Sequence, residues 1–109
     1  MLIILDRKNW LSQISDTVPD QFKTVYFRVK GRVQGVYFRA STKSAADKSG
    51  ITGWVKNRTD GDVDGMATGS EEQLSGFVSW LKQGPKLANV STVEICTSDA
   101  QEYEGFEIR

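Results

Sequence analysis

The apolar residues change period within a short span, between Val25 and Ser49, and few folds accommodate that change. In "TVYFRVKG" (24–31), Val25, Phe27 and Val29 fall on one side and Tyr26, Arg28 and Lys30 on the other. That alternation predicts a half-buried strand, ended by Gly31. In "YFRASTKSAADKSG" (37–50), Phe38, Thr42, Ala45, Ala46 and Ser49 recur at helical spacing, and Gly50 supplies a C-cap. The small residues on that face let the helix approach a sheet closely. Strand and helix are joined by "GRVQGVYFR" (31–39), whose turn is bounded by Gly31 and Gly35.

The remaining signals complete one architecture. "ITGWVKN" and "DVDGMATG" read as two further strands, and "RTDG" between them carries Asp60-Gly61, a hairpin turn. Ser70 with Gln73 forms a capping box, and Glu71 and Glu72 suit the positive end of a helix. Leu74, Phe77, Val78 and Leu81 then define one apolar face, stopped by Gly84-Pro85. "STVEICT" turns Val93 and Ile95 inward, and "GFEIR" alternates Phe106 and Ile108 as a short last strand. The order strand, helix, strand, strand, helix, strand, strand is the split βαβ pattern. It predicts a ferredoxin-like α+β sandwich: two helices on one face of a four- to five-stranded, mainly antiparallel sheet.

A chain of 109 residues makes one small domain. Residues 1–22 differ from the rest and read as an N-terminal extension of unknown role, with the domain proper at 23–109. Within the extension, Leu11, Ile14 and Val18 allow a short amphipathic helix ended by Pro19, and three roles stay open equally: an edge strand through "LIIL" (2–5), self-association, or disorder.

Composition narrows the chemistry. The chain has no histidine, which removes histidine general bases, Ser-His-Asp and Cys-His arrangements and most zinc sites. Its 14 basic and 14 acidic residues balance, against the basic excess of a nucleic-acid binder. No stretch approaches a membrane span, and "MLIIL" is too short for a secretory signal, so the expected location is the cytoplasm. The single cysteine, Cys96, forms no internal disulfide and reads as a small buried hydrophobe.

The glycine loop is the strongest chemical signal. Successive backbone N–H groups around positive-φ residues form an anion-binding nest, and a helix N-terminus adds free N–H groups and partial positive charge. Arg39 falls in the first turn of the following helix, where a cation meets the wrong end of the dipole. A bound anion removes that conflict, and a guanidinium can clamp two phosphate oxygens. On spacing alone, a plain strand–helix turn with a solvated arginine remains an alternative. The pattern is neither a Walker loop nor a dinucleotide fingerprint.

"GRVQGVYFR" followed by "GWVKNRTDGDVDG", with "SWLKQGP" and the closing "GFEIR", resembles the acylphosphatase family from about Val25 to Arg109. The resemblance implies the same α/β sandwich and hydrolysis of acyl phosphates to a carboxylate and inorganic phosphate, with no cofactor and no metal. It implies that the N–H groups of Gln34, Gly35, Val36, Tyr37 and Phe38 cradle the phosphate. Arg39 then corresponds to the phosphate-binding arginine, and Asn57 to the asparagine that orients the attacking water. Such a protein works as a monomer on small-molecule acyl phosphates and inorganic phosphate, without nucleic acid or membrane.

Other residues read more plainly. Asp62 and Asp64 alternate with Val63 and are expected on a solvated outer face. Arg58 reads as a solvated hairpin arginine on spacing, and as a source of positive potential at the site under the resemblance. Trp54 and Trp80 read as packing or surface aromatics. Two further functions compete: a phosphate-binding module that does not turn over, and an RNA-binding domain stacking bases on Tyr26 or Phe27. Adjacent strand residues point to opposite faces, so only one of those two aromatics can stack outward.

Overall fold

In a computed structural model, the structure describes residues 22–109. The extension's expected helix at 11–18 and edge strand at 2–5 lie outside the described residues. Strand β1 spans Phe22–Arg32, followed by helix α1 (Phe38–Ser49), strands β2 (Thr52–Asn57) and β3 (Val63–Ser70), helix α2 (Glu71–Gln83), and strands β4 (Asn89–Ser98) and β5 (Phe106–Ile108). The sheet order is β4-β1-β3-β2-β5. Every neighbouring pair is antiparallel except β2 and β5. This is the expected split βαβ sandwich, with a parallel edge that the sequence pattern did not foretell.

The alternation of β1 works as read. Phe27 and Val29 are fully buried beneath the helices, and Val25 packs at the margin. They meet Leu74, Phe77 and Leu81 of α2, and the Phe77 ring stands edge-on to Phe27 at 5.5 Å. On α1, Phe38, Thr42 and Ala46 are buried. Ala45 lies half-buried and Ser49 exposed, so the inner face is narrower than the spacing suggests. The capping box of α2 forms in full: Gln73 N–H donates to Ser70 Oγ at 3.1 Å, and Ser70 N–H donates to Gln73 Oε1 at 2.8 Å.

Val93 and Ile95 take the inward face, in register with Val29 and Phe27, but at the sheet edge they are less buried than that face suggests. Val93 is only half-buried and Ile95 is 39% exposed. β4 pairs only with β1 among the described strands, so it has no strand neighbour on its outer side there. Cys96 is exposed rather than buried. Its register partner is Tyr26, on the face away from the helices, and the inward turn of Val93 and Ile95 itself sends it there.

The connection from β4 to β5 must cross three strands, from one edge of the sheet to the other. It is pinned on the helix-free face by a threonine pair. Thr24 and Thr68 share a 2.6 Å hydrogen bond, Thr68 Oγ1 donates to the Gln101 carbonyl at 2.9 Å, and Gln101 N–H donates to Thr24 Oγ1 at 2.9 Å. This strap delivers β5 alongside β2 and brings Ile108 toward the loop after β1.

Candidate active site

The loop that follows β1 is built around positive φ angles. Gly31, at φ 124°, passes so close to β4 that a Cβ there would collide with the Asn89 carbonyl. Gly35 sits at φ 73°, and a Cβ there would meet nothing within 4 Å, so open space lies in front of the loop. Tyr37 sits at φ 62° and ψ 25° as the N-cap of α1. It is the one non-glycine residue with positive φ among the described residues. The left-handed conformation costs an L-residue about 1–2 kcal/mol, and strain of this kind gathers at functional sites. The Tyr37 side chain is 78% exposed, so core packing does not compensate the strain.

The start of α1 is also left open. Tyr37 makes no side-chain cap, and the first turn holds no acidic residue. The first backbone N–H to donate is that of Ser41, to the Tyr37 carbonyl at 3.0 Å. The N–H groups from Gly35 to Ala40 have no hydrogen-bond partner among the described residues. A helix end with free donors and no carboxylate is a ready anion site.

A cavity of about 410 Å³ opens in front of these groups. Val33, Gly35, Tyr37, Phe38, Arg39, Ala40, Asn57 and Ile108 line it. Arg39 of α1 and Asn57 at the end of β2 thus share one cavity with the loop, although 18 positions separate them in the chain. The Arg39 guanidinium has no Asp or Glu side chain as a partner among the described residues, and its one hydrogen bond there is long, 3.5 Å to the backbone oxygen of Arg109.

Gln34 and Val36 occupy the loop without lining the cavity through their side chains. Val36 is buried in the core. Gln34 does something the sequence did not reveal: its Nε2 donates to the carbonyls of both Arg58 and Asp62, at 2.8 and 2.9 Å. Those carbonyls flank the β2–β3 hairpin turn, so one side chain ties the loop to the element that carries Asn57. Ile108 was likewise missed as a cavity residue. Its place depends on the parallel pairing of β5 with β2, which has no local signal.

Arg58 lies outside the cavity. Its guanidinium turns to the helix-free face, with Nε on Asp60 and Nη1 on Asp64, each at 3.0 Å. The expectation that it adds positive potential at the site is therefore corrected, as is the plainer one of a solvated arginine. Asp64 is only 3% exposed, against the expected solvated face. It lies in register with Arg28 and Lys56 on the neighbouring strands, and Tyr26 donates to it at 2.7 Å. Arg28 donates to Asp60 and Asp62, each at 2.8 Å. Hydrogen bonds to Asp60 and Asp64 hold Arg58 protonated more firmly than a free arginine. The N–H of Asp62 and then Arg58 lower Asp60 below its usual range. Burial first, and the bond to Asp64 second, raise Tyr26 above its ordinary value of 10.0. No group of three His, Cys, Asp or Glu among the described residues is placed to hold a metal ion. No described helix is long and apolar enough to cross a membrane.

An α+β sandwich with an anion-ready loop at a helix N-terminus defines a class of phosphate-handling domains, and comparison with known proteins narrows it. Residues 25–108 match the acylphosphatase family. The chain is 44% identical over 87 residues to an acylphosphatase of Thiobacillus denitrificans, spanning 80% of this chain and 97% of that protein. An acylphosphatase from Coxiella burnetii superposes with a TM-score of 0.80 at 36% identity, covering 83% of this chain and 95% of its own. Acylphosphatase from Bacillus subtilis gives 0.76 at 39% identity, covering 79% and 97%. The chain belongs to the acylphosphatase family, enzymes that hydrolyse acyl phosphates.

Proposed function

We propose that this chain hydrolyses the carboxyl–phosphate bond with the loop Gln34–Phe38 and Arg39 as its phosphate site and Asn57 as its water-orienting residue. The catalytic unit in this reading is 23–109. The observation that carries it is the cavity itself: free N–H donors of a helix start, an arginine with no acidic side chain beside it among the described residues and a strand-end amide line one space.

The chemistry suits these groups. Phosphoryl transfer asks chiefly for positioning and for stabilisation of charge on the equatorial oxygens. The loop N–H groups and Arg39 supply fixed positive potential, and the guanidinium can engage two oxygens at once. A carboxylate leaves readily, so no general acid is needed, which accords with a chain lacking histidine. Asn57 is neutral and can hold water in line without repelling the phosphate as a carboxylate would. The phosphate's own oxygens take the water's proton in this scheme.

Benzoyl phosphate hydrolysis tests the proposal. The parent turns over, and a chelator leaves the rate unchanged. Asn57→Ala lowers kcat about 10²-fold while inorganic phosphate still inhibits, because removing one positioned polar group costs that order of rate. If the parent binds phosphate through Arg39 without turnover, the domain is a binding module instead.

A further inference from the structure

The helix-free face of the sheet carries a continuous chain of charged hydrogen bonds that the proposed chemistry does not use. It runs Tyr26–Asp64–Arg58–Asp60–Arg28–Asp62, with every link between 2.7 and 3.0 Å. Its innermost member is Asp64, whose Oδ1 is buried without a hydrogen-bond partner among the described residues. A half-satisfied buried carboxylate is a poor device for stability, since an apolar pair of similar size often does as well. What an ion pair does impose is direction: the planar guanidinium of Arg58 can meet both carboxylates in few orientations.

That direction bears on the site. Arg58 follows Asn57 in the chain, and the carbonyls of Arg58 and Asp62 are the two acceptors of Gln34. The hairpin is gripped by carboxylates on one face and itself grips the phosphate loop on the other. Asp60 closes the turn from within by accepting the Asp62 N–H at 3.1 Å. We propose that Asp64 and Arg58 are positioning residues: they fix the hairpin so that Asn57 points into the cavity and Gln34 keeps the loop in register with it. The inference rests on the reading of Asn57 given above.

The variant to make is Arg58→Met with Asp64→Asn, which removes both charges together and leaves neither buried unpaired. The side-chain amide introduced by Asp64→Asn can still accept from Tyr26, so the protein is expected to fold. In the parent background kcat on benzoyl phosphate should fall about tenfold with KM and melting temperature little changed, the cost of a misplaced water-orienting group. In an Asn57→Ala background the same pair should cost less than about twofold, because the group it positions is gone. Equal losses in the two backgrounds, or no loss in either, overturn the proposal. A second measurement stands free of turnover: hydrogen exchange at the Gln34 side-chain amide, which should quicken in the pair variant. If the parent proves inactive, the catalytic reading fails and this exchange decides the positioning claim alone, with unchanged exchange overturning it.

Discussion

Arg39 shares a cavity with Asn57, and Arg58 follows Asn57 in the chain, yet the structure treats the two guanidinium groups in opposite ways. Arg58 meets two carboxylates, one of them buried. Arg39 meets no acidic side chain among the described residues, and it sits at the helix end that disfavours a cation. One charge is spent within the protein, holding a hairpin. The other has no acidic side chain beside it among the described residues and lies near free N–H groups, where an incoming anion can complete it. A paired arginine thus marks a fixed point of the scaffold, and one in a cavity without an acidic neighbour is open to a ligand.

The comparison breaks most visibly at Arg39. Arg39→Ala should lower kcat/KM on benzoyl phosphate by about 10²–10³-fold, the cost of removing one preorganised donor. The free variant should melt no lower than the parent, and inorganic phosphate should no longer raise its melting temperature as a ligand of the native state does. Phosphate protection that survives the substitution would place the anion elsewhere.

Asp64→Ala should show the reverse pattern, with stability as the main loss. It leaves Arg58 with one carboxylate and the Tyr26 hydroxyl without its acceptor. Urea unfolding should register a cost of roughly 1–2 kcal/mol. A cost near zero would mean that the buried carboxylate is held for no structural purpose.

A smaller effect sharpens the cavity side. Tyr37→Gly removes the left-handed strain of a non-glycine residue but adds chain entropy to the unfolded state. The two should leave a net gain of about 0.5 kcal/mol in denaturant unfolding. A loss instead would show that the exposed Tyr37 ring stabilises the loop through contacts that outweigh the strain.

The smallest effects lie in pH, and both belong to the hairpin side. Tyr26 has its pKa raised in the fold, by burial and then by Asp64, so its contribution is complete below pH 10 and is lost as pH rises through the raised value. Asp60 has its pKa lowered, so its contribution is present above its ordinary value of 3.8 and is lost as pH falls through the lowered one. Melting temperatures measured across pH should show Tyr26→Phe removing part of the alkaline decline and none of the acid one. An unchanged alkaline limb would separate Tyr26 from the network.

Much of this was legible in the residues. The period change between Val25 and Ser49 gave strand and helix, the capping box at Ser70 formed as read, and the helices buried Phe38, Thr42, Ala46, Leu74, Phe77 and Leu81 of their expected faces while Ala45 and Val78 stayed half-buried and Ser49 exposed. The fold class follows from the order of these elements. The loop and Arg39 stood out because glycine spacing and a cation at a helix start are local anomalies. Asp64 was misread for the converse reason. Alternation with Val63 says which face it takes, but not that Tyr26 and Arg58 wait on that face to bury it. Cys96 was misread although the alternation of Val93 and Ile95 already pointed it outward.

What the sequence determined by itself is therefore what depends on neighbours a few residues apart: periodicity, caps, turns and the positive-φ loop. Only the tertiary structure decided what depends on strand order and register. It placed Asn57 across a cavity from Arg39, set Arg28 and Lys56 beside Asp64, crossed the Gln101 strap over Thr24 and Thr68, and paired β5 with β2 so that Ile108 reached the site. Apart from Lys56 and Asp64, which face each other across one hairpin, these contacts join residues 18 or more positions apart. Their energies are realised only once the sheet has closed, so no local stretch carries their signature.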